Sequence, residues 1–254
     1  MKVMAASDAV QMLERELREV FGSRLQSLVI YGQRTHAAGR AHDDGHGGPT
    51  AGHGHDAPAT HTLAVVDSMT SADLRACAVR IDAWHDAGLA TPLLIADHEF
   101  AQSLDAFPLE FGAILADHSV VTGSNPFDSL RVDPDDLRRA CEVQARSHLL
   151  HLREGFLETR GRADALAVLI VRSAAAFAAL VTSIARLEGH DTDDAASAAR
   201  HVERTLGTPN SAVAEITKLA RAHDISSADA ERLFKPYLEA VERIVTYVDG
   251  WNAH

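Results

Sequence analysis

The stretch SLVIYGQRTHAAGRAHDDGHGGPTAGHGHDAPATHTLAVV, residues 27–66, decides how the chain is read. It opens in the β-branched run Leu25–Tyr31 and closes in TLAVV, residues 62–66, and both runs read as buried strands. Between them, residues 34–61 hold 28 residues without one Val, Ile, Leu, Met, Phe, Trp or Tyr; six are His and six are Gly. A segment with no large apolar side chain cannot offset the entropy of ordering itself, so 34–61 is expected to be a flexible His/Gly-rich loop.

Upstream, Val10, Leu13, Leu17, Val20 and Phe21 recur at helical spacing behind a Ser7 cap, and Gly22 closes that helix. Downstream, Ser71 opens a helix with Leu74, Ala78, Ile81 and Trp84 on its inner side and Gly88 at its end. TPLLIA, residues 91–96, is a third strand, and a short helix near 97–105 follows. FPLEFGAIL, residues 107–115, reads as a fourth strand, with 119–122 as a short edge strand. After the turn-rich segment 123–136 no strand pattern appears, and helices are expected over 134–160, 163–188, 193–206, 211–223 and 227–249. The expectation is an α+β domain over 1–125, with a mixed sheet and flanking helices, and an all-α helical bundle over 126–254.

Composition narrows the function classes. A net charge of −12 argues against a nucleic-acid surface, which needs clustered Lys and Arg. Two cysteines, Cys77 and Cys141, make neither a thiolate metal site nor a disulfide framework. The first twenty residues lack an apolar core of signal-peptide length. The apolar segment 165–187 carries Arg172 near its middle, which suits a bundle core better than a bilayer. These features lead us to expect a cytoplasmic protein without a membrane partner.

The order of elements resembles the nucleotidyltransferase superfamily of the polymerase-β type, in particular its small bacterial members with a C-terminal helical bundle. The resemblance rests on Val29-Ile30-Tyr31-Gly32, on Leu63-Ala64-Val65-Val66, and on SLDAFPLEFGAILADHSVVTGSNP, residues 103–126. It implies a first strand ending in Gly-Ser, an Asp-x-Asp at the head of the second strand and a third carboxylate on a later strand. In such enzymes two Mg²⁺ ions clamp the attacking and leaving oxygens of the reaction at the nucleotide's α-phosphate. Mg²⁺ takes carboxylate oxygen, and a one-residue spacing on a strand aims two carboxylates to one side.

The chain departs from that pattern. Gly32 is present, but Gln33 takes the serine position; these two residues are the expected nucleotide-binding pair. Thr60 and Thr62 take the paired carboxylate positions, and their hydroxyls are poor Mg²⁺ ligands. Glu110 alone is left as a catalytic third carboxylate. The loop is also long, with 26 residues between Gln33 and Thr60, whereas a metal site needs short, rigid support.

Histidines supply a rival chemistry. His46, His53 and His55, with His42 and His61 nearby, suit Zn²⁺ or Ni²⁺ through neutral imidazoles; the plain alternative is a solubilising insertion. His148 and His151 stand three apart on one helix, the pattern of a metal pair or, more often, of a half-exposed face. Arg138, Arg139, Arg146 and Arg153 either meet phosphate or pair with Asp135, Asp136, Glu142 and Glu154. Three readings follow. The first is a catalytically degenerate nucleotidyltransferase-fold protein that retains nucleotide or protein binding, the protein partner meeting the bundle. The second is an active Mg²⁺ enzyme with non-standard ligands, for instance Asp56 with Glu110. The third is a metal-binding protein using the His-rich loop.

Overall fold

A computed structural model describes residues 6–32, 59–190, 192, 194–207 and 211–251. They fall into two compact units, divided between Arg131 and Val132. Within the first, helix α1 (Ala6–Phe21) buries Val10, Leu13, Leu17 and Phe21. Gly22, with φ of +59°, takes the left-handed conformation that starts a single 3-10 turn into strand β1 (Leu25–Tyr31). β1 pairs antiparallel with β2 (His61–Val66), placing Ile30 opposite Thr62 and Tyr31 opposite His61.

The chain then runs through α2 (Ser71–Ala78) and α3 (Ile81–Asp86) to β3 (Leu93–Ala96), which pairs parallel with β2. Helices α4 (Asp97–Ala106) and α5 (Pro108–Ala116) lead to β4 (His118–Gly123), antiparallel to β1. The sheet order is β3-β2-β1-β4. This is the α+β mixed sheet expected, with 25–31 and 62–66 adjacent.

Each face of the sheet carries a core. Leu28, Ala64 and Val66 pack with the α1 side chains, Cys77 and Trp84 on one face. Val29, Leu63 and Val65 pack with Phe100, Leu104, Phe111, Ile114 and Phe127 on the other. Arg24 ties the base of β1 to α2 through two 2.8 Å bonds to the Asp73 carboxylate, which also closes a capping box with Thr70. The Arg24 bonds, then those from Thr70, hold the Asp73 carboxyl well below the usual carboxylate range.

Three expectations need correcting. Residues 107–115 are not a strand: Pro108 starts α5, and Phe111 and Ile114 meet the core at helical spacing. Nine mostly apolar residues carry no clear period, and proline at the first helical position settles the matter. Second, Thr70 rather than Ser71 caps α2, and the expected long helix breaks at Val79 and Arg80. Within α2 it is Asp73 and Cys77 that face inward, Cys77 in the cluster of Trp84, while Leu74 is 47% exposed. Third, His61 belongs to β2 rather than to the loop, and Thr60 already forms a parallel bridge to Leu89.

The described residues of the second unit form five helices: α6 (Pro134–Thr159), α7 (Ala163–Leu187), α8 (Ala195–Leu206), α9 (Ala212–Leu219) and α10 (Ser227–Asp249). Asp133, Asp194 and Ser226 cap α6, α8 and α10 with side-chain oxygens. Helix α7 is long and apolar enough to cross a membrane by length and composition. It nonetheless packs against α6, α8, α9 and α10 and buries Ile170, Ala174, Phe177, Val181 and Ile184, as the core helix of the bundle.

Candidate functional site

The strand ends of the first unit bring the candidate residues to one edge. Gly32 ends β1 with φ of +69°, a conformation glycine adopts freely. Its N–H donates to the Asp117 carbonyl at 2.9 Å, so the amide expected to face a phosphate is already engaged. Thr60 sits half-buried at the mouth of β2; its N–H donates to Gly88 O at 2.8 Å and its carbonyl accepts from Ala90 at 3.0 Å.

Thr62 is fully buried, and its hydroxyl has no hydrogen-bond partner among the described residues. Strand alternation puts Thr62 on the side of Ala64 and Val66, and its cross-strand neighbour Ile30 packs into the α1 core. The position where the resemblance expects the second metal carboxylate therefore points into hydrocarbon. Burying an unpaired hydroxyl costs roughly 1–3 kcal/mol, so the site carries a small strain rather than a ligand.

The opposite face at the next rung holds three rings. Tyr31 lies opposite His61 on one side and His118 on the other. Tyr31 and His61 have ring centroids 5.6 Å apart, and His118 lies 4.5 Å from Phe127. His118 Nδ1 stands 3.0 Å from Leu115 O and 3.2 Å from Ile114 O, donating to the last carbonyls of α5 as a helix cap. Beside it Asp117 is only 4% exposed, a buried acid next to Gly32 that the sequence reading did not single out.

Glu110 lies half-buried in the first turn of α5, where the helix dipole favours a carboxylate; it is on a helix and not, as expected, on a strand. Gln33, His46, His53, His55 and Asp56 lie outside the described residues. Among the described residues no three His, Cys, Asp or Glu side chains gather as a metal ion would require. Two neutral threonines, one of them sealed, and a helical Glu110 do not fit the paired-Mg²⁺ arrangement.

The bundle holds a different polar centre. His148, expected on a half-exposed face, is 7% exposed, and its Nε2 lies 2.6 Å from the Tyr237 hydroxyl. Tyr237 donates to Ser173 Oγ at 3.1 Å, joining α6, α7 and α10. Burial, and to a lesser degree His151, push the His148 pKa down to about 4. His151 is exposed and lies 3.3 Å from Glu154. The α6 arginines are in ion pairs: Arg138 with Glu142 at 3.0 Å, Arg139 with Asp136, Arg146 with Glu142 at 3.1 Å and Asp249 at 2.8 Å, and Arg153 with Glu242 at 2.6 Å. Both cysteines are buried, and burial pushes the Cys141 thiol up to about 12, where it is unreactive.

No family model matches the sequence, and no curated protein does. Among solved structures the chain is similar to spectinomycin adenyltransferase AAD(9) from Enterococcus faecialis, determined with ATP and spectinomycin. The similarity has a TM-score of 0.55 at 10% identity and covers 94% of this chain and 99% of that one. At that identity it speaks for fold: the chain has a nucleotidyltransferase fold with a C-terminal helical region.

Proposed function

We propose that this chain is a catalytically degenerate protein of the nucleotidyltransferase fold, which keeps the scaffold and acts by binding a ligand or a protein partner rather than by metal-dependent nucleotidyl transfer. The observation that carries this reading is Thr62, buried without a hydrogen-bond partner where the resemblance expects a metal-binding carboxylate. Two Mg²⁺ ions bring four positive charges beside a triphosphate, and neutral hydroxyls do not offset them. Because the similar adenyltransferase was solved with ATP, a nucleotide is the first ligand to test. A cytoplasmic setting is consistent with the sequence features above.

A second reading, an active transferase with unusual ligands, is favoured by the buried Asp117 next to Gly32, with Glu110 as a further acid. The deciding assay incubates the protein with each labelled nucleoside triphosphate and Mg²⁺ or Mn²⁺, scoring pyrophosphate release and labelling of protein or of added aminocyclitol. The degenerate reading expects no metal-dependent turnover. Turnover lost in Asp117→Asn or Glu110→Gln would replace it with the second reading.

A further inference from the structure

Helix α7 ends in a tight corner. Gly189, with φ of +70°, lets its N–H reach Arg186 O and the His190 N–H reach Ala185 O, both at 2.8 Å. This folds His190 onto α8, where its ring lies flat against that of His201, with centroids 4.5 Å apart and planes 2° apart. His190 Nε2 stands 3.2 Å from Ser197 Oγ in the first turn of α8. His201 Nε2 is sealed from solvent and has no hydrogen-bond partner among the described residues.

That last fact restricts the ring. A hydrogen on His201 Nε2 would be a buried donor with no acceptor, so the neutral form with its proton on Nδ1 is the one that fits. Imidazolium carries a proton on both nitrogens, so charging His201 creates the unpaired buried donor at Nε2. The charged groups that act on His201 are His190 in the corner, Glu188 just after α7 and Arg204 on α8. Glu188 alone is attractive, and its Oε1 already accepts from the Tyr247 hydroxyl and from Trp251 Nε1, the latter at 2.7 Å. Asp191 and Asp193 lie outside the described residues.

We propose that the His190–His201 stack is a proton-sensitive clasp, which holds the α7–α8 corner closed while His201 is neutral and releases it when His201 takes up a proton. It stands independently of the function proposed above. Burial, then His190 and Arg204, lower the proton affinity of His201, in keeping with the geometry. The closed corner binds fewer protons than the open one. Its stability is therefore present above the ordinary histidine range and is lost as pH falls through it.

The test is hydrogen exchange of the full chain between about pH 7.5 and 5.5, with intrinsic rates corrected, alongside NMR titration of the histidine rings. One-proton linkage expects α8 protection to fall by up to about tenfold per pH unit at the acid end. In His201→Phe, which keeps a flat ring and removes the proton site, that extra fall should vanish. Equal pH dependence in wild type and His201→Phe would overturn the proposal. Should the variant fail to fold, the wild-type titration decides: His201 titrating at or above the ordinary histidine range would overturn it too.

Discussion

Thr62 and Tyr237 are both buried to 0% exposure and both carry a hydroxyl, yet the two are treated differently. The Tyr237 hydroxyl sits in a chain from His148 to Ser173, at 2.6 and 3.1 Å. The Thr62 hydroxyl touches no polar partner among the described residues. A satisfied network in a low-dielectric core specifies packing, whereas an orphaned hydroxyl is a cost without a structural return. Polarity in the bundle is thus integral to its core, and polarity at the head of β2 is not.

The largest expected effect is Tyr237→Ala, which opens a cavity, leaves His148 Nε2 without its partner and removes a donor from Ser173; urea unfolding should show a loss of about 3–5 kcal/mol. A loss below 1 kcal/mol would mean that the network is not integral.

Next comes pH. His148 is held near pKa 4 in the folded chain against an ordinary 6.5, so the folded state binds fewer protons. Its contribution is full above pH 6.5, declines as pH falls toward about 4, and levels off below, a change of roughly 3 kcal/mol from a shift of this size. Urea midpoints measured across that range check it, with His148→Gln expected to flatten the curve.

Smaller, and opposite in sign, are two hydroxyl deletions. Tyr237→Phe should cost about 1 kcal/mol, whereas Thr62→Val, of similar shape, should be neutral or stabilising by up to about 1 kcal/mol. Equal losses in both would erase the distinction between the two regions. Smallest is Glu154→Ala at the exposed His151 pair, expected within about 0.5 kcal/mol of wild type by thermal unfolding.

Much of the fold was legible in the sequence. β1 and β2 announce themselves through β-branched runs, and the bundle helices through Gly161, Gly189 and Gly207, each at positive φ. Residues 107–115 misled because a short, mostly apolar run cannot choose between periods, although Pro108 was a usable start signal. His148 misled because three-residue spacing from His151 describes a helix face without saying whether the face is buried. Asp117 was invisible because only the β1–β4 register, a pairing of distant segments, brings it to Gly32. That threonines stand where the resemblance expects paired carboxylates was legible. That Thr62 points into the α1 core was not, since alternation fixes which residues share a face and not which layer covers it.

The most direct test of a closed rather than merely unoccupied carboxylate position is the thermal midpoint of Thr62→Asp, with and without Mg²⁺ and ATP. A carboxylate forced into the Ile30–Ala64 layer should cost several kcal/mol and gain nothing from Mg²⁺. We predict a midpoint well below wild type that added Mg²⁺ and ATP do not raise. A near-wild-type midpoint that rises with Mg²⁺ and ATP would show an open, restorable metal site and would contradict this account.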